Sequence, residues 1–394
     1  MKKLIKLFIY ILLVIPGISL YSGDFGLVLD QDVGIYGAGD NVKFNYSGIL
    51  IPRFTAFLGD SGRIYVSAGL NLQSDPLALV PELLRTDFSW RFEDGEIRAG
   101  RMQYSDPLGY IASGLFDGAR YSRNTNTGIF SVGAWYTGLQ YKKRTEITMT
   151  GEELASYSDE FKYSDFVNTY FAPSRAVLAL DWEHPSLKEL VRARVSLIGQ
   201  FDFTGEALHT QYAAAKFTVP VKNFIFDFGA CLELMESSGD FGLGLAGELD
   251  ASWLLPTAID DRLMFIGRYS SGNWEDSSLN AFLPVTTYKQ GKVFQTKLSG
   301  ISVIGLDYLA RVHETLSLGI SSTYFIRTDL GTCTLIGSDG YLAGNEFYGR
   351  AVWSPVSDVM VNFGGGVFLP SMGNSAPDAS TLWKMELNLI LSLY

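Results

Sequence analysis

Leu84-Arg85-Thr86-Asp87-Phe88-Ser89-Trp90-Arg91-Phe92 alternates without a break. Leu84, Thr86, Phe88, Trp90 and Phe92 fall on one side of an extended chain, and Arg85, Asp87, Ser89 and Arg91 fall on the other. Successive side chains of a strand point to opposite faces, so a period of two marks a strand between two different environments. The pattern recurs. Ile64, Val66, Ala68, Leu70 and Leu72 oppose Arg63, Tyr65, Ser67, Gly69, Asn71 and Gln73. Val191, Ala193, Val195, Leu197, Phe201 and Phe203 oppose Arg192, Arg194, Ser196, Gln200 and Asp202. Trp383, Met385, Leu387, Leu389, Leu391 and Leu393 oppose Lys384, Glu386, Asn388 and Ser392.

Run length separates two readings. Strands of a soluble sandwich average about 5–6 residues. A tilted strand needs about 9–11 to cross a bilayer, and several segments here alternate that far. Their apolar faces carry aromatics near the ends (Trp90, Phe92, Tyr269, Trp353, Trp383), where rings settle at a membrane boundary. Short polar turns such as 59–62, 93–96 and 124–128 alternate with longer connections at 105–115, 143–173, 271–297, 328–343 and 369–379. That is the rhythm of a closed barrel with short periplasmic turns and long outer loops. Counting in this register gives eighteen strands, with sixteen as the nearest alternative. An open sheet would leave edge N–H and C=O groups unpaired in hydrocarbon, so the sheet must close. The expected fold is an all-β, antiparallel transmembrane barrel, wide enough for an aqueous lumen.

Composition agrees. The chain has 394 residues, 41 of them Gly, with 14% aromatic and 19% charged residues. It is too apolar for a disordered chain. A formal charge of −11 argues against nucleic acid as a partner. Residues 1–22 read as a secretory signal: Lys2, Lys3 and Lys6 precede the apolar core 7–16, and small residues follow. Residues 23–394 then form one domain. No later apolar run is long enough for a membrane helix. The expected location is the bacterial outer membrane, with its lipid and small polar solutes as partners. Monomer and trimer are both compatible with the sequence.

Charges on the polar faces sort by strand. Arg63, Arg85, Arg91, Arg98 and Arg120 lie on strands three to six, with Arg101 and Arg123 near strand ends, and strand nine adds Arg192 and Arg194. Asp227, Glu233, Glu248 and Asp250 lie on strands eleven and twelve, on the far side of the ring. Such walls would set up a transverse field favouring polar, hydrated solutes. Local pairing with neighbours such as Asp87 is the equal alternative.

Catalytic and cofactor signatures are missing. His184, His209 and His313 stand in three separate contexts, without zinc spacing or a nucleophile elbow. No enzyme activity and no cofactor are expected. Cys231 and Cys333 are read as free thiols. Loops 143–173 and 271–297 are read as solvated outer loops, with an inward-folding constriction or a ligand-displaying surface as the alternative.

Two resemblances add to this. The chain ends on a strand at Leu393-Tyr394, which resembles the C-terminal strand of bacterial outer-membrane barrels and implies delivery by the barrel-assembly machinery. Tyr394 shares its face with Ser392, Asn388 and Glu386 instead of with the leucines. Ile97-Arg98-Ala99-Gly100-Arg101-Met102-Gln103 followed by Phe116-Asp117-Gly118-Ala119-Arg120 resembles the strand–loop–strand of anion- and polysaccharide-handling porins, including alginate-export barrels. The resemblance covers about 25 residues and implies a basic lumen, nominating Arg98, Arg101 and Arg120. The expected function is a porin for passive diffusion of small hydrophilic solutes. A substrate-specific transporter for a hydrophobic compound or an anionic saccharide, or an adhesin acting through outer loops, are the alternatives.

Overall fold

A computed structural model describes residues 23–393 except 75–76, 188–189, 205–206, 274–277 and 330–339. The expected signal 1–22, Cys333 and Tyr394 lie outside the described residues.

Eighteen antiparallel strands form one sheet that closes on itself, β1 pairing with both β2 and β18. In order they are β1 (Gly23–Ala38), β2 (Asn41–Leu58), β3 (Gly62–Ser74), β4 (Leu77–Phe92), β5 (Gly95–Ser105) and β6 (Ser113–Thr125). Then come β7 (Gly128–Tyr136), β8 (Arg175–Leu187), β9 (Val191–Asp202), β10 (Leu208–Val221), β11 (Phe224–Ser237) and β12 (Asp240–Leu254). The ring ends with β13 (Arg262–Ser270), β14 (Ile301–His313), β15 (Leu316–Arg327), β16 (Leu342–Val356), β17 (Val359–Leu369) and β18 (Leu382–Leu393). The count and the antiparallel closure match the reading from alternation. No described helix is long and apolar enough to cross a membrane.

The wall is turned inside out relative to a soluble protein. Leu70, Leu83, Leu180, Leu197, Leu249, Leu306, Ile320 and Leu387 are exposed on its outer face, which is stable only against hydrocarbon. A girdle of rings marks the turn end: Trp90, Phe92, Phe224, Trp253 and Trp353 are exposed there. Phe92 stacks on Tyr121 at 5.9 Å and Phe224 on Trp253 at 5.7 Å.

The alternation breaks within β4. The β3–β4 register shifts between Val66 and Ala68, so both Leu84 and Arg85 lie opposite Ser67. Such a bulge places both of its residues on one side and flips the alternation beyond it. Leu84 is therefore buried, not lipid-facing as the simple period implied, and Leu83 and Leu79 take the outer face.

At the loop end nine connections join the strands. L1 (39–40), L2 (75–76) and L6 (238–239) are minimal, and L5 spans 203–207. L3 (106–112), L4 (137–174), L7 (271–300), L8 (328–341) and L9 (370–381) are longer. L4 carries α1 (Lys142–Thr145), α2 (Gly151–Ser158) and α3 (Phe166–Tyr170).

Candidate functional site

The lumen is the candidate site, and three loops shape it. L3 folds around one carboxylate: Asp106 is fully buried and accepts N–H bonds from Leu108 (2.8 Å), Gly109, Ile111 and Ala112 (2.9 Å each). Burial pushes this carboxyl up from the usual aspartate range, and the four N–H bonds pull it back. The L3 tip seats against β11, where a Cβ on Gly229 would lie 2.4 Å from Leu108 Cδ2. L7 is held to the wall by two more carboxylates. Glu233 accepts from Leu283 N at 2.8 Å. Glu346 accepts from Lys292, Val293 and Phe294 N at 2.7–2.9 Å. Phe294 stacks on Phe368 at 4.3 Å. Glycines on β12 leave room for the L7 backbone, since a Cβ on Gly242 would lie 1.8 Å from Leu279 O.

L4 is fastened at its base by Arg175, which is fully buried between Glu153 (Nη2–Oε1 2.6 Å) and Asp202 (Nη2–Oδ2 3.0 Å). Thr150 and Glu153 close a capping box on α2. L4 and L7 then tie together: Thr287 N donates to Glu146 O at 3.0 Å, Lys289 meets Glu146 at 3.2 Å, and Lys297 donates to Thr148 O at 2.6 Å. Burial pulls the Lys297 ammonium down from its ordinary value. The expectation of solvated loops at 143–173 and 271–297 is thus corrected. Wall carboxylates and lumen-facing glycines draw them inward. Between β5 and β12 the loop-end half of the lumen is packed, with Tyr104, Phe116, Trp135 and Tyr212 against Tyr110 and Phe282.

The opposite flank stays polar. A cavity of about 270 Å³ is lined by Asp30, Asp32, Asn71, Glu82, Lys143 and Arg144 among others. Toward the turn end of the same wall stand the arginines. Arg53, Arg63, Arg85, Arg98 and Arg120 face the lumen from β2 to β6, as their contacts and register place them. Three of them share one carboxylate: Asp87 lies 2.5 Å from Arg85 Nε, 3.6 Å from Arg98 Nε and 3.9 Å from Arg63 Nη2. Arg98 stands directly across from Arg120. Arg120 reaches Asp181 at 3.6 Å and Ser131 at 3.1 Å. Arg98 also meets Glu96 at 3.2 Å, while Arg91, the most exposed of the set, is 3.6 Å from Glu96. Arg192 and Arg194 both lean on Glu183, at 2.5 and 3.8 Å. Carboxylates are outnumbered on this wall, so it carries net positive charge.

The acidic side is less pure than alternation suggested. Asp227 and Asp250 stand opposite each other on β11 and β12, and Asp227 accepts from Thr218. Glu248 is bonded to Lys216 at 2.6 Å, and Arg268 is its register partner on β13. Glu233 holds L7 instead of facing open solvent. Local pairing and a basic wall therefore coexist.

Arg101 is a correction. It lies on the outer-face parity of β5, with Nε and Nη2 each 2.7 Å from an Asp117 oxygen on β6. Gly100, at φ 116°, takes the lumen side at that level, and a Cβ there would strike Thr86 O at 2.2 Å. Simple alternation with Arg98 would have shown the difference, because the two are three positions apart.

Arg53 was missed. Its signal was Gly26 on the adjacent strand, where a Cβ would lie 2.5 Å from Arg53 Nε. Lys216 and Arg268 follow from alternation alone. The three histidines make local bonds: His184 Nδ1 accepts from Ser186 N, His209 Nδ1 from Asp202 N, and His313 pairs with Thr315. Among the described residues no His, Cys, Asp and Glu group has metal-holding geometry. Cys231 is buried on the lumen side of β11.

No family model and no curated protein matches the chain. Solved structures do. Pseudomonas aeruginosa OccK2 (OpdF) aligns with TM-score 0.66 at 10% identity, over 95% of this chain and 98% of that one. Pseudomonas aeruginosa OccK11 (OpdR) gives 0.63 at 10% identity, over 95% and 96%. The outer membrane protein opdK of the same organism gives 0.62 at 12%, over 95% and 99%. The chain shares their barrel fold.

Proposed function

We propose that the chain is an outer-membrane channel through which small hydrophilic solutes diffuse passively, with a preference for solutes bearing a carboxylate. The observation that carries this reading is the arginine wall. Arg63, Arg85 and Arg98 converge on the single carboxylate of Asp87, leaving uncompensated guanidinium charge beside the path. Arginine offers planar, paired donors suited to carboxylates. The inward loops narrow the lumen, which suits selection more than an open sieve. L3, L4 and L7, which an adhesin would display, are folded into the barrel instead. Among the similar structures, Pseudomonas aeruginosa OccK2 (OpdF) was solved in complex with glucuronate. A hydroxylated monocarboxylate of that kind fits the order of groups here: amides and carboxylates at the mouth, then arginines.

On this reading residues 1–22 direct export and the last strand is delivered to the barrel-assembly machinery. The test is reconstitution into planar bilayers with a salt gradient. A conducting, anion-preferring pore is expected. A protein that inserts and does not conduct, or that prefers cations, overturns the reading.

A further inference from the structure

The barrel wall contains a seam. β4 and β5 are paired from Phe92–Gly95 as far as Thr86–Arg101, and no β4–β5 pair forms beyond that among the described residues. Yet β4 runs on to Leu77 alongside β3, and β5 runs on to Ser105 alongside β6. The divergence begins at the Leu84–Arg85 bulge. Pro81, which has no N–H to offer a neighbour, sits on the freed edge.

Side chains, not a backbone ladder, close this interval. The carbonyls of Leu79, Pro81 and Leu83 accept bonds from Tyr163, Tyr170 and Arg101 in turn. Tyr163 and Tyr170 belong to L4. Behind them an aromatic cluster fills the gap: Tyr170 lies 5.1 Å from Tyr141, 4.6 Å from Phe166 and 6.1 Å from Phe161, in one apolar cluster with the buried Val80. On the lipid side Leu79, Leu83 and Leu139 are exposed. On the lumen side Arg144 meets Glu82 at 2.9 Å, and both line the polar cavity with Lys143 and Tyr141.

We propose that this seam is a side portal. An amphipathic solute with an apolar body and one carboxylate enters from the hydrocarbon of the outer leaflet, displaces the L4 aromatics and delivers its head to the lumen cavity. Apolar leucines and rings receive the body. Lys143 and Arg144 stand among Asp30, Asp32 and Glu82 in the cavity, so the carboxylate passes on to Arg85, Arg63 and Arg98, which outnumber the Asp87 they share. L4 is a door because its bonds to β4 break one at a time, without unzipping the sheet. This inference rests on the channel reading and adds a second entrance to it.

The test uses full-length protein in phospholipid vesicles, photolabelled by a diazirine-bearing decanoic acid dissolved in the membrane. Adducts are expected on Tyr141, Phe161, Phe166 and Tyr170. Loss of two neutral hydrogen bonds in Tyr163→Phe/Tyr170→Phe shifts an opening equilibrium about thirtyfold, so lumen adducts should rise by about that factor. The electrophoretic mobility of the folded barrel should not change, which places the effect in the door and not in the sheet. Adducts spread evenly over the lipid-facing belt, with none on these aromatics, overturn the portal even if the double variant fails to fold. So does labelling that the variant leaves unchanged. Wild-type vesicles impermeable to gluconate would overturn the channel reading itself, whatever the labelling shows.

Discussion

Replacing Arg101 by methionine should cost the barrel more than removing any arginine of the cluster around Asp87. The Arg101 side chain is only 6% exposed, and both of its 2.7 Å bonds to Asp117 lie on the apolar side of the wall. Its Nη2 also donates to Leu139 O at 3.1 Å, pinning L4. Removing one partner of a buried pair costs about 3–5 kcal/mol, because the other charge is left without compensation. With a urea dependence of about 2 kcal/mol per molar, the unfolding midpoint in vesicles should fall by about 2 M. Folded and unfolded barrel are separated by electrophoretic mobility without boiling. The double variant Arg101→Met/Asp117→Leu should recover most of the loss, since swapping a whole buried pair for apolar groups is often neutral. Arg98→Met, whose partners Glu96 and Asp87 lie in the lumen, should cost about 0–1 kcal/mol. The reasoning fails if Arg101→Met is no worse than Arg98→Met, or if the double variant is as weak as the single one.

The triple variant Arg85→Ala/Arg98→Ala/Arg120→Ala should move the reversal potential in a salt gradient toward cations; an unmoved potential removes the arginine wall from selectivity. Asp106→Ala strips the acceptor from four N–H groups, each worth about 1 kcal/mol. L3 should loosen, raising single-channel conductance and its noise, and a quiet, unchanged current would refute that. Gly242→Ala puts a methyl against the Leu279 carbonyl and should shift L7, again raising conductance while barrel stability holds. Burial pushes the Tyr170 phenol up from 10.0 to about 12. The unfolded phenol therefore ionises first, and L4 docking weakens as pH climbs from about 10 toward 12. Proteolysis within L4 should rise across that window, and a flat profile would contradict it.

The barrel was legible because hydrocarbon and water each demand their own side chains, and alternation records that demand residue by residue. Segments such as Arg63–Gln73 carry it cleanly. It failed at Leu84, where one extra residue in a bulge left the local pattern looking intact. It failed for Arg101 because a basic residue was taken as inward by type, although its parity with Ile97 said otherwise. The inward loops were illegible for another reason. What draws L7 in is Glu346 and Glu233 meeting backbone N–H groups more than fifty positions away or close to it, and no local period encodes such a meeting. The arginines could be listed from sequence; their convergence on Asp87 needed the register between three strands.

The loop end is uneven. L1 and L2 are two-residue links beside the Asp30 and Asp32 flank, and L4 reaches across from β7 and β8 to roof that flank with Lys143 and Arg144. A low rim roofed by a loop from further round the ring behaves like the spout of a lidded jug. Bulky objects, such as an antibody or a polysaccharide coil, would rest on the lid, while small molecules slip past at the spout.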